Sequence, residues 1–343
     1  MWRPTMLVAL IAAVLSPLAR AEPPAPIVAP SQWMATLARA YLAPRYESLA
    51  GEARDLAASA ARVCASPGAE ALQAARSDWK RTALSLRRVS PLPFGPVLES
   101  RMLRKIDFWP TRAAQIEASI VKFGAAEVRL DRVGVTAKGL PALEYLLFDP
   151  VRAGINEDAA ACAYASWVAR ELSEAVAPVS KEWMNWADSL ADAEPEVEKQ
   201  LLVDGVNILI GSVEVLRTKF LEKPLQSSSP TPAFDAWRSG ESVASMQASF
   251  DALRVGLLGR DVVPGLVAVL QGRGLLTLAE GLERLVGASA RAFSTLPSDL
   301  GAADGRASAA KAATELAKLQ YFLAEDVATK LKVAVGFGES DGD

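Results

Sequence analysis

Residues 42–63, LAPRYESLAGEARDLAASAARV, carry an apolar seam at Leu42, Tyr46, Leu49, Ala53, Leu56, Ala60 and Val63. Steps of four and three in alternation put one stripe on one face of a helix, and that stripe has to be buried against other helices. The same alternation returns at Leu202, Val206, Leu209, Val213, Leu216 and Phe220, where Pro224 predicts the stop. Helices are also expected over 68–89, 156–190, 241–258, 275–296 and 308–335. For the second of these, Asn156 is the expected N-cap, Glu157 and Asp158 suit the positive end of the helix dipole, and Pro178 predicts a kink.

No convincing strand of period two appears, and alanine is abundant throughout. The fold class that follows is all-α, with two packed bundles of antiparallel helices. Gln226, three serines and two prolines mark residues 226–234 as the linker, so an N-terminal bundle is expected over 31–225 and a C-terminal bundle over 235–343. Between the early helices lies a different segment, 90–139, broken by Pro91, Pro93, Gly95, Pro96, Pro110, Gly124 and Gly134. It reads as a long structured excursion.

The chain opens with Arg3, an apolar run over 6–15 and the ending Ala19-Arg20-Ala21, the pattern of a cleaved secretory signal over 1–21. The run is shorter than the roughly 20 residues that span a bilayer, and no cysteine follows it to carry a lipid. A Pro-rich leader over 22–30 and a mature chain without a transmembrane segment are expected, periplasmic in a Gram-negative source. The net charge of −3 becomes −5 once Arg3 and Arg20 are removed, with no polybasic stretch, so nucleic acid is an unsuitable partner. Export exposes Cys64 and Cys162 to an oxidising compartment, where they either pair or remain two buried thiols.

The chain contains no histidine. That excludes Ser-His-Asp and Cys-His catalysis and the HExxH zinc site. Ser77-Asp-Trp-Lys80 matches SxxK without its companion motifs, and Trp79 reads better as a core residue of a bundle.

One carboxylate stands apart. In GLPALEYLLFDP (139–150), Gly139 and Pro141 open a helix, Asp149-Pro150 closes it, and Glu144 sits among Leu143, Leu146, Leu147 and Phe148. A helix apolar nearly all round is buried on every side, so Glu144 requires a raised pKa, a cation or hydrogen-bond donors. Arginine is the expected partner, from Arg76, Arg101, Arg104 or Arg112, with a metal ion or ligand as the other candidate.

KGLPALEYLLF (138–148), DFWP (107–110), RSGES (238–242) and the ending VGFGESDGD (335–343) together resemble the imelysin-like family of exported bacterial proteins. The resemblance implies two related four-helix bundles, with the family's GxHxxE signature near their interface. Here Gly139 and Glu144 match that signature, but Pro141 stands at the histidine position. A metallopeptidase-like hydrolase built on an HxxE pair therefore lacks half its pair.

The resemblance also implies a link to iron uptake and iron-regulated expression. The expected function is a non-catalytic binding protein, with iron as the implied metal and a small ligand, a metal or chelate, or a periplasmic or outer-membrane protein as partner. The alternatives are a hydrolase using Glu144 with Asp107, and a structural or partner-docking module. The expected site comprises Glu144 and Asp107 as ligands, metal ligands included, Arg101 and Arg112 as counter-charges, Trp109 and Tyr145 as walls, and Gly139, with Arg238, Ser239 and Glu241 facing it across the interface. The acids Glu339, Asp341 and Asp343 either form a solvated tail or dock on the body.

Overall fold

A computed structural model describes residues 27–66, 68–125, 133–227 and 234–336. The expected signal, most of the leader, most of the linker and the acidic ending lie outside these residues. The seam helix is longer than its apolar period indicates. It begins as α1 (Pro30–Leu37), passes through a π-turn (Ala38–Leu42) and continues as α2 (Ala43–Ala65). Every seam residue from Leu42 to Val63 is buried.

α2 packs against α3 (Ala69–Arg87) and, along most of its length, α8 (Ala159–Ser189). A Cys64–Cys162 disulfide, with Cα atoms 5.5 Å apart, joins the end of α2 to the start of α8. Asp158, rather than the expected Asn156, caps α8. Its Oδ1 accepts from the N–H groups of Ala160 and Ala161, because residues 155–157 are wound into a separate 3₁₀ turn.

The Pro-rich excursion folds into α4 (Pro96–Ser100), α5 (Met102–Ile106) and α6 (Ala113–Gly124), and leads into α7 (Gly139–Phe148), bounded as its sequence predicts. α7 is held between α3 and α8. Trp79 Nε1 donates to the Leu140 carbonyl (2.9 Å) and Arg76 Nε to that of Leu147 (2.6 Å). Gly139 lies at φ +74°, where a Cβ would stand 2.2 Å from the Ile106 carbonyl oxygen, so only glycine lets α7 start this close to α5.

α9 (Pro195–Arg217) does not stop before Pro224. It runs through a second π-turn (Thr218–Glu222) into α10 (Lys223–Gln226). In both long helices the proline, Pro44 or Pro224, stands two residues after the π-turn. The carbonyl four residues back, which its ring would strike in a regular helix, therefore lies in the widened turn.

α9 packs on α11 (Ser242–Leu258) and α14 (Ala303–Tyr321), and α13 (Leu276–Ser294) packs on the same two. α14 continues through a third π-turn (Phe322–Val327) into α15 (Ala328–Leu331). A two-residue hairpin, β1 (Gly259–Arg260) and β2 (Val263–Pro264), and the short α12 (Leu266–Gly272) join α11 to α13. These are too brief to leave a period in the sequence. The all-α reading holds, and α11 touches both α3 and α9, so the apolar core is continuous among the described residues.

Candidate functional site

Glu144 lies near the middle of α7, 4 % exposed. The arginine expected beside it is absent. Its Oε1 accepts instead from the Ser239 backbone N–H (3.0 Å) and the Ser239 hydroxyl (3.1 Å), on the turn that precedes α11. The named arginines are committed elsewhere or exposed. Arg76 serves the Leu147 carbonyl, Arg112 lies over the Phe108 ring, and Arg101 and Arg104 face solvent. Among the described residues, no donor reaches Glu144 Oε2. Burial foremost pushes the Glu144 carboxyl up to about 7, and nearby Asp235 adds to the effect, while Ser239 and Arg238 oppose it. At neutral pH it is about half protonated.

The geometry at Ser239 matches that balance. Its Oγ lies 3.1 Å from Glu144 and 2.9 Å from the Ala236 carbonyl, and one hydroxyl hydrogen satisfies only one of them. With Glu144 neutral, Oε1 still accepts from the Ser239 N–H, the acid proton is carried on Oε2, and the Ser239 hydroxyl serves Ala236. With Glu144 ionised, Ser239 turns to the carboxylate and Ala236 loses its donor.

Asp107 and Glu144 line one cavity with Arg87, Trp109, Asp235 and Trp237. Its volume of about 20 Å³ admits a single water-sized group. Arg87, at the end of α3, is the centre of a buried triad. Its Nη1 and Nη2 grip both oxygens of Asp107, while Nε (2.7 Å) and Nη2 (2.8 Å) grip Asp235, which also accepts from the Ser245 hydroxyl. Burial opposes charge on Arg87, but the two aspartates outweigh it and raise its pKa. Burial likewise opposes charge on Asp235, where the guanidinium wins and holds the carboxyl below its ordinary value.

Such a triad is held by geometry. Removing one member would leave buried charge without a partner. It also ties the Pro-rich excursion, α3 and the segment that precedes α11 to one another.

Arg238 turns outward to Asp149 (2.7 Å) and stacks on the rings of Tyr145 and Trp237. Tyr145 is directed to Glu117, its hydroxyl donating at 2.5 Å, and does not line the cavity. Glu241 pairs with Lys80 across 2.7 Å. Lys219 lies over Trp109.

The predicted Glu144, Asp107 and Trp109 are thus brought together, with Gly139 setting the position of their helix. Arg238 and Glu241 stand at the same α3/α7–α11 junction, whereas Arg101 and Arg112 do not enter the cavity. Arg87, Asp235 and Trp237 were not expected. Asp235, between Phe234 and Ala236, carries the signal that singled out Glu144, an acid flanked by apolar residues. Arg87, in an ordinary helical run, carries none.

This donor set does not suit a resident iron ion. Among the described residues no three His, Cys, Asp or Glu side chains come together as a metal site. Asp107 is already neutralised by Arg87, whose guanidinium would repel a cation beside it.

The family model described as imelysin (peptidase M75) matches residues 42–323. Two solved structures share the fold. The crystal structure of an imelysin-like protein from Psychrobacter arcticum 273-4 is 23 % identical, with a TM-score of 0.71 over 90 % of this chain and 97 % of that one. That of a protein named as a candidate iron-regulated protein A precursor, from Parabacteroides distasonis ATCC 8503, is 14 % identical, with a TM-score of 0.72 over 86 % and 93 %. No curated protein matches the chain.

Proposed function

Since this chain belongs to the imelysin family, we propose that it acts outside the cytoplasm as a non-catalytic, iron-linked binding protein that recognises an anionic iron chelate at the Glu144 cavity. The observation that carries this reading is geometric: buried Glu144, its Oε1 held by Ser239, lines a small cavity walled by Trp109 and Trp237, and burial holds its carboxyl above the ordinary range. Trp237 lies 4.5 Å below Arg238 and Trp109 lies 6.0 Å from Lys219. A neutral carboxylic acid donates a hydrogen bond to a carboxylate, and although Arg238 is paired with Asp149, Lys219 over the Trp109 ring adds positive charge on that side of the cavity. Because the cavity admits one water-sized group, the chelate sits at the mouth and inserts one oxygen.

The reading takes the chain as two helical bundles joined through 226–234, with the mouth between α7 and the segment 234–241. Export is supported by the opening pattern over 1–21, and among the described residues no helix is long and apolar enough to cross a membrane. The iron link draws on the family and on the printed name of the Parabacteroides relative.

Hydrolysis is the poorer reading. Both cysteines are in the disulfide, histidine is absent, and the Ser239 hydroxyl already bonds Glu144 and Ala236. Equilibrium dialysis of residues 22–343 against ferric citrate, with bare ferrous and ferric ions in parallel, tests the proposal. Saturable binding of the chelate, stronger than that of either bare ion and lost in Glu144→Ala, is expected. Equal binding by the variant, or none by either protein, would overturn it.

A further inference from the structure

On another part of the surface, the first π-turn and the β1–β2 hairpin enclose a groove of about 320 Å³. Tyr41 and Arg45 line one side, and Arg260, Asp261 and Val263 line the other. Arg45 is held rigidly. Its guanidinium stacks 3.7 Å from the Tyr41 ring centroid and Nη1 donates to the Tyr41 carbonyl (3.1 Å), while the Tyr41 hydroxyl donates to the Arg88 carbonyl (3.1 Å).

The hairpin is equally constrained. A Cβ on Gly265 would stand 2.2 Å from the Gly259 nitrogen and one on Gly259 2.5 Å from the Val263 carbonyl oxygen, so two glycines allow the tight approach that presents Arg260. The hairpin packs on α1 and α11.

Neither Arg45 nor Arg260 has a carboxylate partner among the described residues, although the chain pairs many other arginines. Arg88 adds its charge through space at the Tyr41 hydroxyl. The opposing acids are Asp261, exposed at the hairpin tip, and Asp251, which Arg254 partly neutralises across 3.6 Å.

We propose that this groove is a second binding site, for a compact, multiply charged oxyanion bridged by Arg45 and Arg260. A guanidinium spends one donor on its own backbone and keeps four in a planar fork that matches phosphate or carboxylate oxygens. Stacking on Tyr41 removes the rotamer freedom that binding would otherwise have to remove. Asp261 opposes the anion from a solvated position, so its charge weakens the site without closing it.

The test is calorimetric titration of residues 22–343 with pyrophosphate and with metal-free citrate at low ionic strength, beside Arg45→Gln, Arg260→Gln, Asp261→Asn and Glu144→Gln. Arg170→Gln, an exposed arginine outside the groove, is the control. Expected is one saturable site for at least one probe, weakened about tenfold or more in each groove arginine variant. It should be tightened in Asp261→Asn and unchanged in Glu144→Gln and Arg170→Gln. Glu144→Gln separates this site from the Glu144 cavity, and Arg170→Gln separates it from a general loss of surface positive charge. Absence of saturation up to about 1 mM, equal weakening by Arg170→Gln, or indifference to Arg260→Gln on its exposed hairpin would overturn the proposal.

Discussion

Replacing Glu144 with glutamine should change how stability depends on pH. The carboxyl titrates at about 7 in the folded protein against an ordinary value of 4.5, because burial disfavours its charge. A folded-state pKa above the unfolded one means that the native state holds the proton more tightly. The corresponding stability is fully present below about pH 4.5 and is lost as the pH rises through about 7. A difference of about 2.5 units corresponds to about 3 kcal/mol, and at 4 % exposure little of it is screened by solvent. Glutamine keeps the shape and the acceptor for Ser239 but cannot ionise. Urea unfolding followed by tryptophan fluorescence at pH 4.5 to 8 should therefore show wild type losing about 3 kcal/mol more than Glu144→Gln over that window. Parallel curves would refute the reasoning and place the ionisation of Glu144 in a solvated setting.

Arg87→Met leaves Asp107 and Asp235 buried without their cation and should destabilise the fold by about 3–5 kcal/mol, read from the urea midpoint. Arg87→Lys should recover little of this, because one ammonium cannot replace the four contacts of the fork. Gly139→Ala sets a Cβ against the Ile106 carbonyl at a positive φ and should lower stability by about 2 kcal/mol or more, with a cooperative transition retained. Cys64→Ser with Cys162→Ser opens a loop of sequence separation 98 and should destabilise by about 2–5 kcal/mol; a melting temperature equal to that of the oxidised protein would contradict this.

Much of the fold was legible because helices buried along one stripe write that stripe into the sequence. The seams from Leu42 and from Leu202 mark buried faces residue by residue. What failed was punctuation. Pro224 reads as a stop because a regular helix cannot accommodate it, yet a π-turn moves the obstructing carbonyl aside. Asn156 reads as the cap, but the 3₁₀ turn at 155–157 moves the helix start and hands that place to Asp158.

The site was legible in part for a similar reason. Glu144 stands out as a charge among leucines, and burial follows. Ser239 is expected only to face the first bundle; that it bonds Glu144, 95 positions away, could not be read, nor that Arg87 meets Asp235 across 148. Such pairings are settled by packing, and a local pattern holds no trace of them. The neighbouring arginines at 76, 101, 104 and 112 suggested themselves only by proximity along the chain.

The central claim, that Glu144 recognises an anionic chelate as a neutral acid, is tested most directly by the pH dependence of ferric citrate binding. Affinities of wild type and Glu144→Gln would be measured at pH 6 and pH 8, against citrate-only controls. Wild type should bind about tenfold more weakly at pH 8, as the protonated fraction falls, and Glu144→Gln, a permanent donor, should bind with no such dependence. Binding that strengthens toward pH 8 in wild type and vanishes in Glu144→Gln would contradict the account, since it would mean that the ionised carboxylate is what the ligand engages.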